Sequence, residues 1–318
     1  MDLIAAALDQ FDVGAPVTAG NLAMFPLLLP GDDEPGYTML DEALGAGLAS
    51  VTEVSEAGSV PELLLKNLAP SPVLILDGEE LIGAKQNRIV NLTILVAAKQ
   101  TLKVPVSCVE AGRWSSRSRE FEAAGRTHFA SGRAQKLEAV SCAMRERGSR
   151  EADQGQVWDA IEEKAQRLGA ESPTQAAAAM YERSRTKLEE LVARLEPLPR
   201  QAGAVFAING EVAGLDVFGS AAMWRKSMRK LVLSYGLDAL DRADEPKAAE
   251  GASPGRFLAA LKRTSAERFP AIGLGEDLRL TGRSVAGGGL VVDGKLVHLV
   301  AFPKAKRTRA RTRIERIY

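Results

Sequence analysis

The stretch VLILDGEELIGAKQNRIV, residues 73–90, joins two short apolar runs across Asp77-Gly78 and then gathers four polar residues before a third apolar run. Val73 to Leu76 reads as a strand, and Glu80 to Ile82 resumes one after the Asp-Gly pair. That pattern predicts a tight hairpin, because Asp and Gly tolerate the positive φ angles such turns require. On either side the text stays strand-like. Asn21 to Leu29 is apolar and closed by Pro30-Gly31-Asp32-Asp33, and Val60 to Leu68 ends just before Pro70. Ile89 to Val96 and Val104 to Val109 extend a β-rich region over residues 1–114, dominated by Ile, Val, Leu and Thr.

Beyond Trp114 the pattern changes. Residues 117–133 are polar and carry no clear period. A helical block is expected over 133–197. Val157, Ile161, Ala165 and Leu168 recur on one helical face, and Gly169 closes that helix. Ser172-Pro173-Thr174-Gln175 has the composition of a second helix start. Leu188, Leu191, Val192 and Leu195 continue an apolar stripe until Pro197. The last third, 203–302, reads as strand, helix and strand. Asn209-Gly210 and Asp293-Gly294 mark two further hairpins, and Ser220 caps a helix carrying Trp224, Met228, Leu231, Val232 and Tyr235. Gly287 to Gly289 reads as a strand junction, and residues 245–254 as a loop. The expected fold class is α+β: one globular domain with a mixed, β-rich core built from the first and last thirds. Residues 303–318 form a basic tail.

Composition bounds the function. The chain has 318 residues, 46% of them hydrophobic and 26% charged, so it can bury a sizeable core. Lys plus Arg and Asp plus Glu are equal at 41 each, which gives no reason to expect nucleic acid as a partner of the body. The tail, with Arg307, Arg309, Arg311 and Arg313 alternating, is the place for an anionic partner. Cys108 and Cys142 provide no disulfide framework, and with His128 and His298 they show no metal-site spacing. Acidic Asp2 and Asp9 near the N-terminus argue against a secretory signal, and the run Ala23 to Pro30 is too short to span a bilayer. A cytoplasmic location with no membrane partner is expected. No motif names a cofactor, and the oligomeric state is open.

Three clusters can carry chemistry. The first, 77–88, offers carboxylates, an ammonium, two amides and a guanidinium. Glu79 suits acid–base work, while Lys85 and Arg88 suit a phosphate. The second is VPVSCVEAGRW, 104–114, an apolar strand that delivers Glu110, Arg113 and Trp114 at its end. Cys108 within it reads as a small buried residue rather than a nucleophile. The third is Asn209-Gly210-Glu211 with Asp216 and Gly219-Ser220, where a helix start can hold an anion. Each has an ordinary counterpart: polar turn residues paired locally, a Glu110–Arg113 ion pair beside a core Trp114, and a helix bound to its own cap.

The pairing of DGEELIGAKQNR, 77–88, with VPVSCVEAGRW resembles the ADP-ribosylglycohydrolase- and rhodanese-phosphatase-superfamily-associated protein domain. NLAMFPL (21–27), QVWDAI (156–161) and INGEVAGLDVFGS (208–220) agree in the same order. The resemblance implies a link to NAD and ADP-ribose metabolism. By matching motif positions it implies functional roles for Glu79, Lys85, Gln86, Arg88, Glu110, Arg113 and Asp216. Two functions from different classes follow. One is an enzyme acting on an ADP-ribose-like or other nucleotide-derived substrate. Glu79 or Glu110 would be its acid/base, with Lys85, Gln86, Arg88, Arg113, Trp114 and Asp216 holding the phosphate-bearing ligand. The other is a non-catalytic protein that binds such a ligand or scaffolds partners.

Overall fold

A computed structural model describes residues 3–31, 34–55, 60–115 and 118–304; the basic tail therefore lies almost wholly outside the described residues. The first third holds α1 (Leu3–Leu8), β1 (Asp12–Val13), β2 (Val17–Ala19), β3 (Leu22–Leu28), β4 (Thr38–Met39), α2 (Leu40–Gly45), β5 (Ala49–Glu53), β6 (Glu62–Asn67), β7 (Val73–Ile75), β8 (Glu79–Gly83), β9 (Arg88–Val90), β10 (Ile94–Val96) and β11 (Thr101–Cys108). The middle holds β12 (Phe121–Thr127) and the helices α3 (Ala130–Arg147), α4 (Gln154–Leu168), α5 (Ala178–Arg183) and α6 (Arg185–Arg194). The last third holds β13 (Gln201–Ile208), β14 (Glu211–Phe218), α7 (Ala221–Asp241), α8 (Pro254–Leu261), β15 (Ser265–Pro270), β16 (Glu276–Thr281), β17 (Val285–Val292) and β18 (Lys295–Pro303). The class is α+β, with strand-rich ends and helices between them.

The largest sheet runs β1-β3-β13-β14-β18-β17-β16-β15, with β2 also on β3. The first and last thirds meet in it, since β3 pairs with β13 along Leu22–Leu28. Alternation sorts its two faces. Ala204, Phe206, Val300 and Phe302 enter one core, while Val205, Leu215, Leu299 and Ala301 enter another beneath α1 and α8. Over the first face lies α7. Ser220 starts it by accepting a hydrogen bond from the Ala222 N–H. Sixteen of its 21 residues are buried, so it is an interior helix rather than a surface one.

A second sheet, β12-β8-β9-β11-β6-β5, curls back on itself. An antiparallel bridge between Thr52 and Glu120 joins its outer strands. Val51, Leu63, Leu65, Leu81, Val90, Val106 and Phe121 fill its core. A small sheet, β10-β7-β4, completes the packing.

The turns at Asn209-Gly210 and Asp293-Gly294 are two-residue hairpins with positive φ at both positions, as expected. Asp77-Gly78 is different. It is a turn, closed by the Glu79 N–H donating to the Leu76 carbonyl, but β7 pairs with β10 and β4 while β8 pairs with β9 and β12. The turn passes the chain between two sheets, because its Asp side chain is drawn inward by Arg133 and Lys136 instead of standing at a solvated hairpin tip.

Ser172 starts no helix. Its hydroxyl accepts from the Thr174 and Ala176 N–H groups in a turn, and Ala176 bridges to Glu110. Gly287 to Gly289 lie inside β17, where a side chain at Gly288 would meet Arg279. The polar stretch 117–133 holds β12 and the start of α3. No helix among the described residues is long and apolar enough to cross a membrane.

Candidate functional site

The loop between β8 and β9 and the segment leaving β11 form one corner at the end of the curled sheet. Arg88 stands opposite Leu81 on one side and Cys108 on the other. In-register neighbours share a face, so Arg88 extends the face whose apolar members, Leu81, Val90 and Val106, form the sheet's own core. It is fully buried.

Arg113 organises the corner. Its Nε donates to Glu110 Oε2 at 2.8 Å, and Nη2 lies 2.6 Å from the same oxygen. Nη1 donates to the Ala84 and Ser115 carbonyls, and Nη2 also reaches Asn87 Oδ1. Every donor of this guanidinium is used to hold the loop. Glu110 is equally committed: Oε1 accepts from the Thr174 hydroxyl at 2.8 Å and Oε2 from the Asn87 N–H at 3.3 Å. Burial pushes the Glu110 carboxyl up, but Arg113, Thr174 and the Asn87 N–H outweigh it and hold it below the usual carboxylate range.

Gln86 joins the two strands, donating through Nε2 to the Glu110 carbonyl and accepting from Arg88 Nη1 at 3.0 Å. The remaining edge of Arg88, Nε and Nη2, has no hydrogen-bond partner. Burial lowers the Arg88 pKa from its ordinary value and the Arg113 charge adds to this, with the carboxylates of Glu53 and Glu110 acting the other way; the group remains a cation. Glu53 Oε1 stands 3.9 Å from Arg88 Nη2, and Glu53 Oε2 is buried without a partner. Trp114, 48% exposed, is the aromatic face of this corner. Lys85 Nζ lies 5.5 Å and Arg88 Cζ 5.6 Å from its ring centre. Cys108 is buried beside Arg88, and burial pushes its thiol up to about 11, so it is a protonated packing residue at neutral pH.

Lys85, Gln86, Arg88, Glu110, Arg113 and Trp114 are thus brought together. Glu79 and Asp216 make their contacts elsewhere. Glu79 Oε1 is 2.7 Å from Lys230 Nζ, and Oε2 accepts from the Leu76 N–H; Lys230 also pairs with Asp41. Asp216 is bound by both terminal nitrogens of Arg133 and by the Tyr235 hydroxyl, with His298 Nε2 at 3.2 Å. Burial would raise its carboxyl, but Arg133 and His298 hold it below the usual range. Arg133 also pairs with Asp77, which Lys136 contacts in turn. This second group ties the turn after β7 to β14 and β18 through α3. The residues the sequence left unmarked include Glu53, Arg133, Lys136 and Lys230. They sit far from the motifs in the chain, and no local pattern singles them out. No cluster of three or more His, Cys, Asp or Glu among the described residues can hold a metal ion.

Comparison of the chain with curated proteins and with solved structures returns no match. The family model of ARPP-1, the ARG and Rhodanese-Phosphatase-superfamily-associated Protein domain, matches residues 10–302, and the chain belongs to that family.

Proposed function

We propose that the protein binds a phosphate-bearing, nucleotide-derived small molecule of the ADP-ribose kind at the corner made by Lys85, Gln86, Arg88 and Trp114. The observation that carries this reading is the buried guanidinium of Arg88, whose Nε and Nη2 make no hydrogen bond, with Glu53 Oε1 3.9 Å from Nη2. Leaving a buried charged donor unsatisfied costs several kcal/mol, on the order of 1–3 or more. Such a cost is borne where a ligand supplies the missing acceptor. Trp114 adds an exposed aromatic face for a planar ring, and Lys85 adds a second cation beside it. The family's association with ADP-ribosylglycohydrolases points to the same ligand class.

Binding without turnover fits the two carboxylates named from sequence. Glu110 has both oxygens occupied and is held ionised, and Glu79 is engaged by Lys230 and a backbone N–H. Either would have to shed a partner to act as an acid or base. Glu53 supports a second, enzymatic reading, because its buried Oε2 makes no hydrogen bond and a carboxylate oxygen can exchange a proton with a bound ligand.

The test is thermal unfolding with ADP-ribose, NAD and AMP at millimolar concentration. A ligand at 100 times its Kd stabilises the native state by about 2.7 kcal/mol. That shift is expected in the wild type and is lost in Arg88→Met. The ligand-free Arg88→Met protein also loses the contacts to Gln86 and Glu53, so its own ligand-free melting temperature is the baseline for its shift. No shift with any of the three sinks the reading. Product formation that is lost in Glu53→Gln while binding persists would establish the enzymatic form.

A further inference from the structure

The unpartnered groups at this corner come as a complementary set. Arg88 presents two parallel N–H donors, Nε and Nη2, and Glu53 presents a lone acceptor, Oε2; all three atoms are buried. The two side chains approach to 3.9 Å, beyond hydrogen-bond range. Glu53 Oε1 is partly engaged, accepting from the Lys85 N–H at 3.4 Å.

A phosphate on the Arg88 edge would satisfy its donors but would set a second anion beside the Glu53 carboxylate. Buried like charges at such separation repel strongly. It would also leave Glu53 Oε2 without a donor. A group that accepts from Arg88 and donates to Glu53 satisfies both at once and adds no charge.

We infer that Arg88 and Glu53 together read an uncharged planar donor–acceptor edge: the N–H and ring nitrogen of an aminopyrimidine ring such as adenine, or the N–H and carbonyl of a carboxamide. Trp114 lies beside this edge and supplies the face for the attached ring. The phosphate then sits at the Lys85 end, nearer solvent. This inference rests on the binding-site reading above and reassigns Arg88 from phosphate to base or amide recognition. It also gives Glu53 a role in specificity.

Two pairs of mononucleotides differ at this edge while keeping their overall shape. AMP and IMP interchange the donor and acceptor of the ring edge. Nicotinamide mononucleotide and nicotinic acid mononucleotide exchange a carboxamide for a carboxylate. Dissociation constants are measured by calorimetry for wild type, Glu53→Met and Glu53→Gln, each first checked for native circular dichroism. The expected result is a preference of at least about ten-fold for AMP or for nicotinamide mononucleotide over its partner; which pair discriminates identifies the ring edge or the carboxamide. Glu53→Met loses the preference, and Glu53→Gln, which keeps one acceptor oxygen, retains part of it. If neither pair discriminates but the ligands bind in an Arg88-dependent way, edge recognition is overturned and the binding site stands. If no ligand binds the wild type at all, both fall.

Discussion

At the scale of single residues, the interior carries more charge than the candidate corner alone requires. Arg133 and Asp216 are fully buried and paired at 2.6 Å. Removing one charge of such a pair leaves the other desolvated and uncompensated. Asp216→Asn should therefore cost about 3–5 kcal/mol in urea unfolding. A loss under 1 kcal/mol would mean that the Tyr235 and His298 contacts, not the charge, hold the position. His128 gives the pH dependence. Burial, followed by Lys136, Lys164 and Arg133, drives its pKa well below 6.5. In the unfolded chain it takes up a proton near pH 6.5, and in the folded protein it does not. Its contribution is complete above about pH 6.5 and is lost as pH falls toward the folded value, at roughly 1.4 kcal/mol per pH unit. Stability measured from pH 7 to 5.5 should show this slope, and His128→Gln should flatten it. The Glu110–Arg113 pair is the ordinary counterpart that the sequence offered for these two residues. Glu53 was not legible in the sequence, because only the closure of the curled sheet brings the end of β5 to Arg88.

At the scale of elements, the Asp77-Gly78 turn shows what local sequence can specify. Gly78 has φ +76°, and a Cβ there would stand 2.9 Å from Arg133 Cγ. Arg133 cannot yield, since its guanidinium is fixed to Asp77 and Asp216. Gly78→Ala should cost about 1–3 kcal/mol from backbone strain, and more from the clash. A change of melting temperature of only a degree or so would show that the turn relaxes freely. The same Asx-Gly chemistry makes a true hairpin at Asn209-Gly210, where the flanking residues Ile208 and Glu211 pair. At Asp77-Gly78 the reversal was readable, but the partners of the strands on either side were not. Pairing was decided by which apolar face met which, with Ile75 and Leu81 buried in the second core and Leu74 and Leu76 in the first.

At the scale of the whole molecule, the two sheet systems are joined by interior contacts rather than a linker. Asp77 hangs from the small-sheet side, Asp216 belongs to the large sheet, and Arg133 of α3 binds both. Lys230 of α7 similarly reaches Asp41 and Glu79. Opening one side would expose unpaired charges on the other, so the protein should unfold in one transition. Far-ultraviolet and near-ultraviolet circular dichroism should coincide through a denaturant titration, and the calorimetric and van't Hoff enthalpies should agree. Two separated transitions would show that the sheets are independent units.

The sequence by itself determined the α+β class, the strand-rich ends, the helical middle and two of the three hairpins, and it marked the two polar clusters, 77–88 and 104–114, that meet at the corner. These follow from periodicity, turn chemistry and short-range motifs, which act over a few residues. Tertiary structure alone decided which strands share a sheet, that the turn at Asp77 points inward, that Glu79 pairs with Lys230, and that Arg88 keeps a free edge beside Glu53. Those outcomes depend on burial and on charges brought together from distant parts of the chain. A local pattern carries no record of either, because the energy of a buried charge is set by its neighbours in space.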